Sequence, residues 1–323
     1  MKILFVTSTR IGDAVLSTGL LSHLTERYPD ASVTVACGVL PAPLFAPAPG
    51  VVRVIPVTKQ ALSAHWLSLW GQVVGTAWDL VVDLRGSALA WLLAARARKV
   101  WRPDRASGCK VEALGRLLDL DPPPAPVLWT LPAHDDAAAQ AIPAGGPVLA
   151  LGPSANWGPK TWPAERFTAL VDRLTGAGGI MPGARVAVFG GPGERDGIAP
   201  VLDAIPEARR IDLVGTLDLV TVAAALRRCA FYVGNDSGLM HMAAATGIPT
   251  LGLFGPSSPA LYAPWGEHCA VAATEISHDE LLGAPGFDVA NAENLMLSLT
   301  VDAAEAAARA LHARINKGLT AAP

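Results

Sequence analysis

Short apolar runs alternate with amphipathic stretches along nearly the whole chain. Residues 2–7 form a strand-like run, and residues 13–28 space their apolar positions three and four apart, as a helix does. Residues 32–37 predict a second strand, ended by Gly38, and 51–57 and 80–83 predict two more, while 63–74 and 87–95 read as helices. The later part keeps the rhythm, with strands expected at 147–151, 185–189, 231–235 and 249–254 and helices at 164–174, 219–228, 238–246 and 301–316. This order predicts an α/β protein with mainly parallel sheets covered on both faces, two Rossmann-like domains in all.

Two stretches interrupt the rhythm: Asp121-Pro122-Pro123-Pro124-Ala125-Pro126 and Ile142-Pro143-Ala144-Gly145-Gly146-Pro147. Their stiffening and bending residues place a linker between them and predict domains over residues 1–143 and 144–323. A length of 323 residues suits two cores of ordinary size. With 51% apolar and 16% charged residues, the chain can bury enough surface to fold, which excludes extended disorder. A formal charge of −3 argues against a nucleic-acid partner, which calls for a basic face. Cys37, Cys109, Cys229 and Cys269 show no metal-site or disulfide-scaffold spacing and fit a reducing cytoplasm. The opening apolar run is too short for a signal peptide and reads as a buried strand. No window has the roughly 18 apolar residues of a membrane span; a peripheral membrane role stays open.

In open parallel sheets, ligands bind beyond the carboxyl ends of the strands, so polar loops after strands carry the candidate chemistry. Ser8-Thr9-Arg10-Ile11-Gly12-Asp13 follows the first strand. It is neither a dinucleotide fingerprint nor a P-loop. Gly12 allows a tight turn, and Asp13 opens a helix whose N-terminus favours negative charge. Such an acid serves as a base or acceptor, or simply as a first-turn acid. Gly152-Pro153-Ser154-Ala155-Asn156-Trp157-Gly158-Pro159-Lys160 precedes another helix. Lys160 offers a point charge to a phosphate, and Ser154 and Asn156 offer hydrogen bonds; the alternative is a solvated surface loop over a packed Trp162. Asn235-Asp236-Ser237-Gly238 breaks an apolar strand and starts a short helix, with His241 one turn in. Asp236 or Ser237 can cap that helix, or its first amides can hold an anion.

Taken together and in order, these loops resemble glycosyltransferase family 9, the bacterial heptosyltransferases of the lipopolysaccharide inner core. The matching stretches are Gly12-Asp13, Lys160-Thr161-Trp162-Pro163, Gly190-Gly191-Pro192-Gly193-Glu194, Asn235-Asp236-Ser237-Gly238 with His241, and Phe254-Gly255-Pro256-Ser257-Ser258-Pro259. The segment before Lys160 departs from the family's more usual Pro-Gly-Ala. The resemblance implies a GT-B fold with two Rossmann-like domains facing a cleft and the C-terminal helix packing back on the first. It implies an inverting transferase with no cofactor and no metal. The donor would be an ADP-sugar, ADP-heptose in most members, and the acceptor a phosphorylated, lipid-linked glycan. Asp13 would be the general base. Ser154, Asn156, Lys160, Glu194, Asp236, Ser237, Gly238 and His241 would bind the donor, with Glu194 near its ribose. The chain's Asp119-Leu120-Asp121 runs into prolines and is poorly placed as a metal clamp, whereas Lys160 and helix amides can hold a leaving diphosphate.

For the acceptor side, Gly12, Arg85 and Arg102 are candidates. Arg96, Arg98, Lys99, Arg105 and Lys110 crowd the same region, with Trp91 and Trp101 interleaved. A solvated strand edge explains such a cluster as well as an anionic ligand does. Two other readings remain: a two-domain binding protein without catalysis, and a GT-B-type nucleotide-sugar epimerase. An NAD-dependent oxidoreductase is disfavoured by the missing glycine fingerprint.

Overall fold

The structure is a computed structural model that describes residues 1–102, 108–283, 288–289 and 292–321. It divides into two compact units, Met1–Leu131 and Pro132–Pro323.

The first unit runs β1 (Lys2–Val6), α1 (Ile11–Leu16), α2 (Thr18–Arg27), β2 (Ser32–Gly38), β3 (Val51–Val57), α3 (His65–Val73), β4 (Trp78–Asp83), β5 (Ala95–Val100) and α4 (Lys110–Leu117). Its sheet is parallel, in the order β3-β2-β1-β4-β5. The central β1 is apolar on both sides, with Ile3, Leu4 and Phe5 fully buried, as a strand covered on both faces requires. The helix expected over 13–28 is two helices that begin earlier, so Gly12 and Asp13 lie inside the first turn of α1. Ser17 marks the break: its hydroxyl donates to Ala14 O at 2.7 Å and lies 2.8 Å from Thr7 Oγ1. A serine bonding back to its own helix competes with continued winding. The helix expected over 87–95 is a single 3-10 turn, Ala88–Trp91. It leads into β5, an edge strand of alternating small and charged residues, the composition that keeps edges from pairing further.

The second unit opens with α5 (Pro132–Ala141) and continues β6 (Val148–Gly152), α6 (Ala164–Thr175), β7 (Arg185–Gly190), α7 (Arg195–Ala204), β8 (Arg210–Val214) and α8 (Leu219–Leu226). Then come β9 (Phe231–Asn235), α9 (Gly238–Ala245), β10 (Thr250–Phe254), α10 (Pro259–Tyr262), β11 (Cys269–Ala273), α11 (His278–Gly283) and α12 (Val301–Ala321). This sheet is also parallel, ordered β11-β10-β9-β6-β7-β8. The expected linker region is largely α5. It packs on α8, burying Ala138 and Ile142, and Arg228 Nε donates to Ile142 O at 2.8 Å. The division between the units therefore falls before α5, at 131/132, ahead of the position the prolines and glycines suggest. The C-terminal helix, expected against the first domain, packs on α6, β10 and β11. Ala304, Ala308 and Leu311, spaced four and three apart, enter the second unit's core.

Each sheet has one place where the chain reverses its direction of growth. In the first it lies between β1 and β4, in the second between β6 and β9. Loops leaving such neighbouring strands part to opposite faces and leave a crevice. Most of the loops singled out from the sequence leave these four strands; the Glu194 loop follows β7 and the Phe254–Pro259 stretch follows β10.

Candidate functional site

At the second unit's switch point, two adjacent strands carry most of the polar apparatus. Asn235 ends β9 fully buried. Its amide donates to Pro153 O at 2.8 Å and its carbonyl accepts from Trp162 N at 3.0 Å. This one side chain thus clamps both ends of the loop that holds Lys160. Trp162 is fully buried, packs edge-on against Phe167 with centroids 5.1 Å apart, and donates Nε1–H to Leu299 O at 2.9 Å.

Held this way, Lys160 points inward. Its Nζ lies 2.7 Å from Asp236 Oδ2, with the two side chains only 16% and 12% exposed. His241 Nε2 is 3.9 Å from the other Asp236 oxygen. A lysine and carboxylate removed from water hold each other in one geometry, so Asp236 fixes the position of the lysine. Ser237 is the residue preceding α9, in extended conformation, yet among the described residues no side chain caps that helix. The first-turn amides of α9, from Gly238 onward, therefore keep their donor capacity for a ligand. The capping that the sequence allowed to Asp236 or Ser237 does not occur: Asp236 is engaged by Lys160, and the Ser237 hydroxyl is buried elsewhere. On the next loop, Glu194 Oε2 accepts from Gly191 N at 2.6 Å and Ser154 Oγ at 2.8 Å. Ser154 and Glu194 are thereby joined across β6 and β7, and Asn156 sits exposed on its loop.

At the first unit's switch point, Asp13 is half-buried in the first turn of α1, with Ser8 Oγ 3.5 Å from Oδ2. Gly12 is helical rather than a turn residue. Beyond β4, buried Asp83 accepts from Arg85 N and Ser87 N at 2.8 Å each and from Ser87 Oγ at 2.6 Å, which shapes the loop bearing Arg85. The Arg85 guanidinium lies 5.9 Å from the Trp66 ring and lines a cavity of about 250 Å³ with Lys59, His65, Trp66, Thr7 and Thr9. Cys37 also lines it, but burial pushes its thiol up to about 12, which leaves it protonated and unreactive at neutral pH.

The remaining basic cluster is mostly spent on structure. Arg98 donates to the carbonyls of Ala90, Leu93 and Ala95, Arg96 pairs with Asp79, Lys99 pairs with Asp119, and Lys110 covers Trp101 at 4.3 Å. Arg102 is exposed and is not among the residues lining the cavity, and Arg105 lies outside the described residues. Sequence reasoning passed over Lys59, His65, Trp66 and Asp83. Only Asp83 left a local sign, an acid at the end of a strand and four residues before a serine. The others converge from separate elements. Among the described residues, no group of three or more His, Cys, Asp or Glu side chains is placed to hold a metal ion, and no helix is long and apolar enough to cross a membrane.

Comparison with known proteins agrees with this geometry. The chain is 26% identical over 301 residues to lipopolysaccharide heptosyltransferase 2 of Salmonella typhimurium, covering 80% of this chain and 84% of that protein. Its fold matches a glycosyl transferase family 9 structure from Veillonella parvula with TM-score 0.80 and 21% identity, covering 97% of each chain. It matches E. coli ADP-heptose lps heptosyltransferase II with TM-score 0.76 and 22% identity, over 98% of this chain and 100% of that one. Residues 110–282, which hold Lys160, Glu194 and the whole 235–241 loop, match the pattern of glycosyltransferase family 9 (heptosyltransferase). With two parallel Rossmann-like units of the GT-B type and more than half of its length matching the family pattern, the chain belongs to glycosyltransferase family 9.

Proposed function

We propose that the chain is an inverting, metal-independent transferase that moves a heptose from ADP-heptose to a phosphorylated, lipid-linked acceptor of the lipopolysaccharide inner core. The observation that carries this reading is the uncapped start of α9 beside the buried Lys160–Asp236 pair. Together they offer positive charge where a nucleoside diphosphate leaves. The names of the relatives support the sugar and the acceptor class.

In this reading the acceptor hydroxyl gives its proton to the Asp13 carboxylate while its oxygen attacks the anomeric carbon. The bond from that carbon to the diphosphate oxygen breaks on the opposite face, and ADP departs with the electron pair. Lys160 and the α9 amides take up the developing charge, the task a divalent ion performs in other transferases. Ser154 and Glu194 form the neighbouring rim, toward the nucleoside. Asp236, with His241 beside it, orients Lys160 rather than offering a second negative charge to the phosphates. On the acceptor side, the cavity with Lys59, His65 and Arg85 suits a phosphate or carboxylate, and an acceptor embedded in lipid places the enzyme at the cytoplasmic face of the inner membrane.

The decisive experiment pairs transfer with donor binding. Asp13→Ala is expected to abolish product while ADP affinity by calorimetry stays within about twofold, since loss of a general base costs roughly 100-fold or more. An Asp13→Ala enzyme that still transfers at full rate refutes the base assignment. Proton NMR of the product reports inversion directly, and undiminished turnover in EDTA checks metal independence. Sugar release or isomerisation without acceptor would point to an epimerase instead.

A further inference from the structure

Tyr232 is the largest buried polar side chain that the transfer chemistry leaves unused. It lies in β9, is 0% exposed, and its hydroxyl has no hydrogen-bond partner of normal geometry. The residue occupies an unusual slot. Gly152 and Gly234 stand opposite each other in the register of β6 and β9, and a Cβ on either would overlap the Tyr232 hydroxyl. Two paired glycines thus open a channel through which the ring reaches the carboxyl edge of the sheet.

At that edge the neighbouring polar side chain is Ser237. Burial pushes the Tyr232 phenol well above its ordinary range, and the Ser237 hydroxyl pulls in the opposite direction. The Ser237 hydroxyl is likewise buried without a partner of normal geometry. Its backbone, at φ −151° and ψ 170°, is the extended conformation from which a serine side chain normally accepts from the second or third helical amide. Here it does not. The two buried hydroxyls are neighbours, and each is costly when left without a partner.

We propose that Tyr232 is a positioning residue that keeps the start of α9 open. By engaging the Ser237 hydroxyl from beneath, it withholds that hydroxyl from the amides of Leu239 and Met240 and leaves them for the donor's diphosphate. The idea rests on the donor site proposed above, but it also makes a claim about the ligand-free protein that stands without any donor.

The variant Tyr232→Phe removes one oxygen and retains the ring that fills the channel. Hydrogen exchange on the ligand-free full-length protein is expected to slow about fivefold at the amides of Leu239 and Met240, the size of an ordinary serine cap. Tyr232→Phe combined with Ser237→Ala should lose that protection. In parallel, Tyr232→Phe should bind ADP about fivefold more weakly than wild type, whereas the double variant should bind as tightly as Ser237→Ala alone. A structural loosening would not be reversed by a second truncation. Unchanged exchange in Tyr232→Phe overturns the proposal, as does a double variant that stays weaker than Ser237→Ala by the full Tyr232→Phe factor. If wild type itself binds no ADP, the donor reading falls while the exchange measurement still decides the role of Tyr232.

Discussion

At the scale of single residues, sequence and structure part most clearly over which acid does what. Asp236 looks like a helix cap and is instead the counter-ion of Lys160. Asp218, unremarkable in the sequence, is a true cap: it accepts from Val220 N and Thr221 N at 2.9 Å each and from Thr221 Oγ1 at 2.6 Å. Burial raises the pKa of Asp218, but the Thr221 and Val220 hydrogen bonds outweigh it and leave the carboxyl below its usual value. Because the folded value is depressed, its contribution is complete above about pH 4, the unfolded value, and fades as pH falls through the lower folded one. Asp218→Asn should therefore flatten part of the acid limb of a stability–pH curve measured by urea unfolding. For the Lys160–Asp236 pair, removing one partner strands the other. Lys160→Ala is expected to cost about 2 kcal/mol in wild type, discounted from the full burial figure for partial exposure, and markedly less in an Asp236→Ala background. A double-mutant cycle by chemical denaturation checks this. Equal costs in the two backgrounds would mean the ions are not coupled.

At the scale of elements, strongly apolar pieces declare themselves and weakly patterned ones do not. The strands β1, β2, β6, β9 and β10 are mainly apolar and were legible within a residue or two. The edge strand β5 is not, because Ala95-Arg96-Ala97-Arg98-Lys99-Val100 has no apolar run, and the ladder with β4 alone makes it a strand. The break at Ser17 was equally hidden, since the apolar spacing of 13–28 continues through it and the cause is a serine hydroxyl bonding back to Ala14 O beside Thr7, just after β1. Asn235 shows how elements are joined into a site. Its two hydrogen bonds tie β9 to the segments on either side of Lys160. Truncation to Asn235→Ala leaves Trp162 N–H and Pro153 C=O buried without their partner, at about 1–3 kcal/mol. Thermal unfolding should show the loss, and calorimetry should show weaker ADP binding because the Lys160 loop is released. Loss of stability with unaltered affinity would confine Asn235 to a purely structural part.

At the scale of the whole molecule, each unit has its own buried core, centred on the β1–β4 sheet in one and on the β6–β9 sheet in the other. The boundary before α5 carries a test. A fragment of residues 132–323 should melt well above one of residues 144–323, because the shorter piece lacks Ala138 and Ile142 and exposes the face of α8 they cover. Equal melting temperatures would remove α5 from the second unit.

The class of fold, the alternation of strand and helix, and the family were legible along the chain, because these depend on local periodicity and on loops of contiguous residues. So were Asp13, Lys160, Glu194 and the 235–238 loop, each of which follows a legible strand. How those residues are paired and held came from the folded chain. Hydrogen-bond partners such as Ser154 with Glu194, the charge pairing of Lys160 with Asp236, and the channel that Gly152 and Gly234 open for Tyr232 join positions that strand order, not chain order, makes neighbours. Placing β9 beside β6, across a long stretch of intervening chain, brings these groups to one edge. No pattern along the chain encodes that adjacency, because it follows from burying both faces of a parallel sheet.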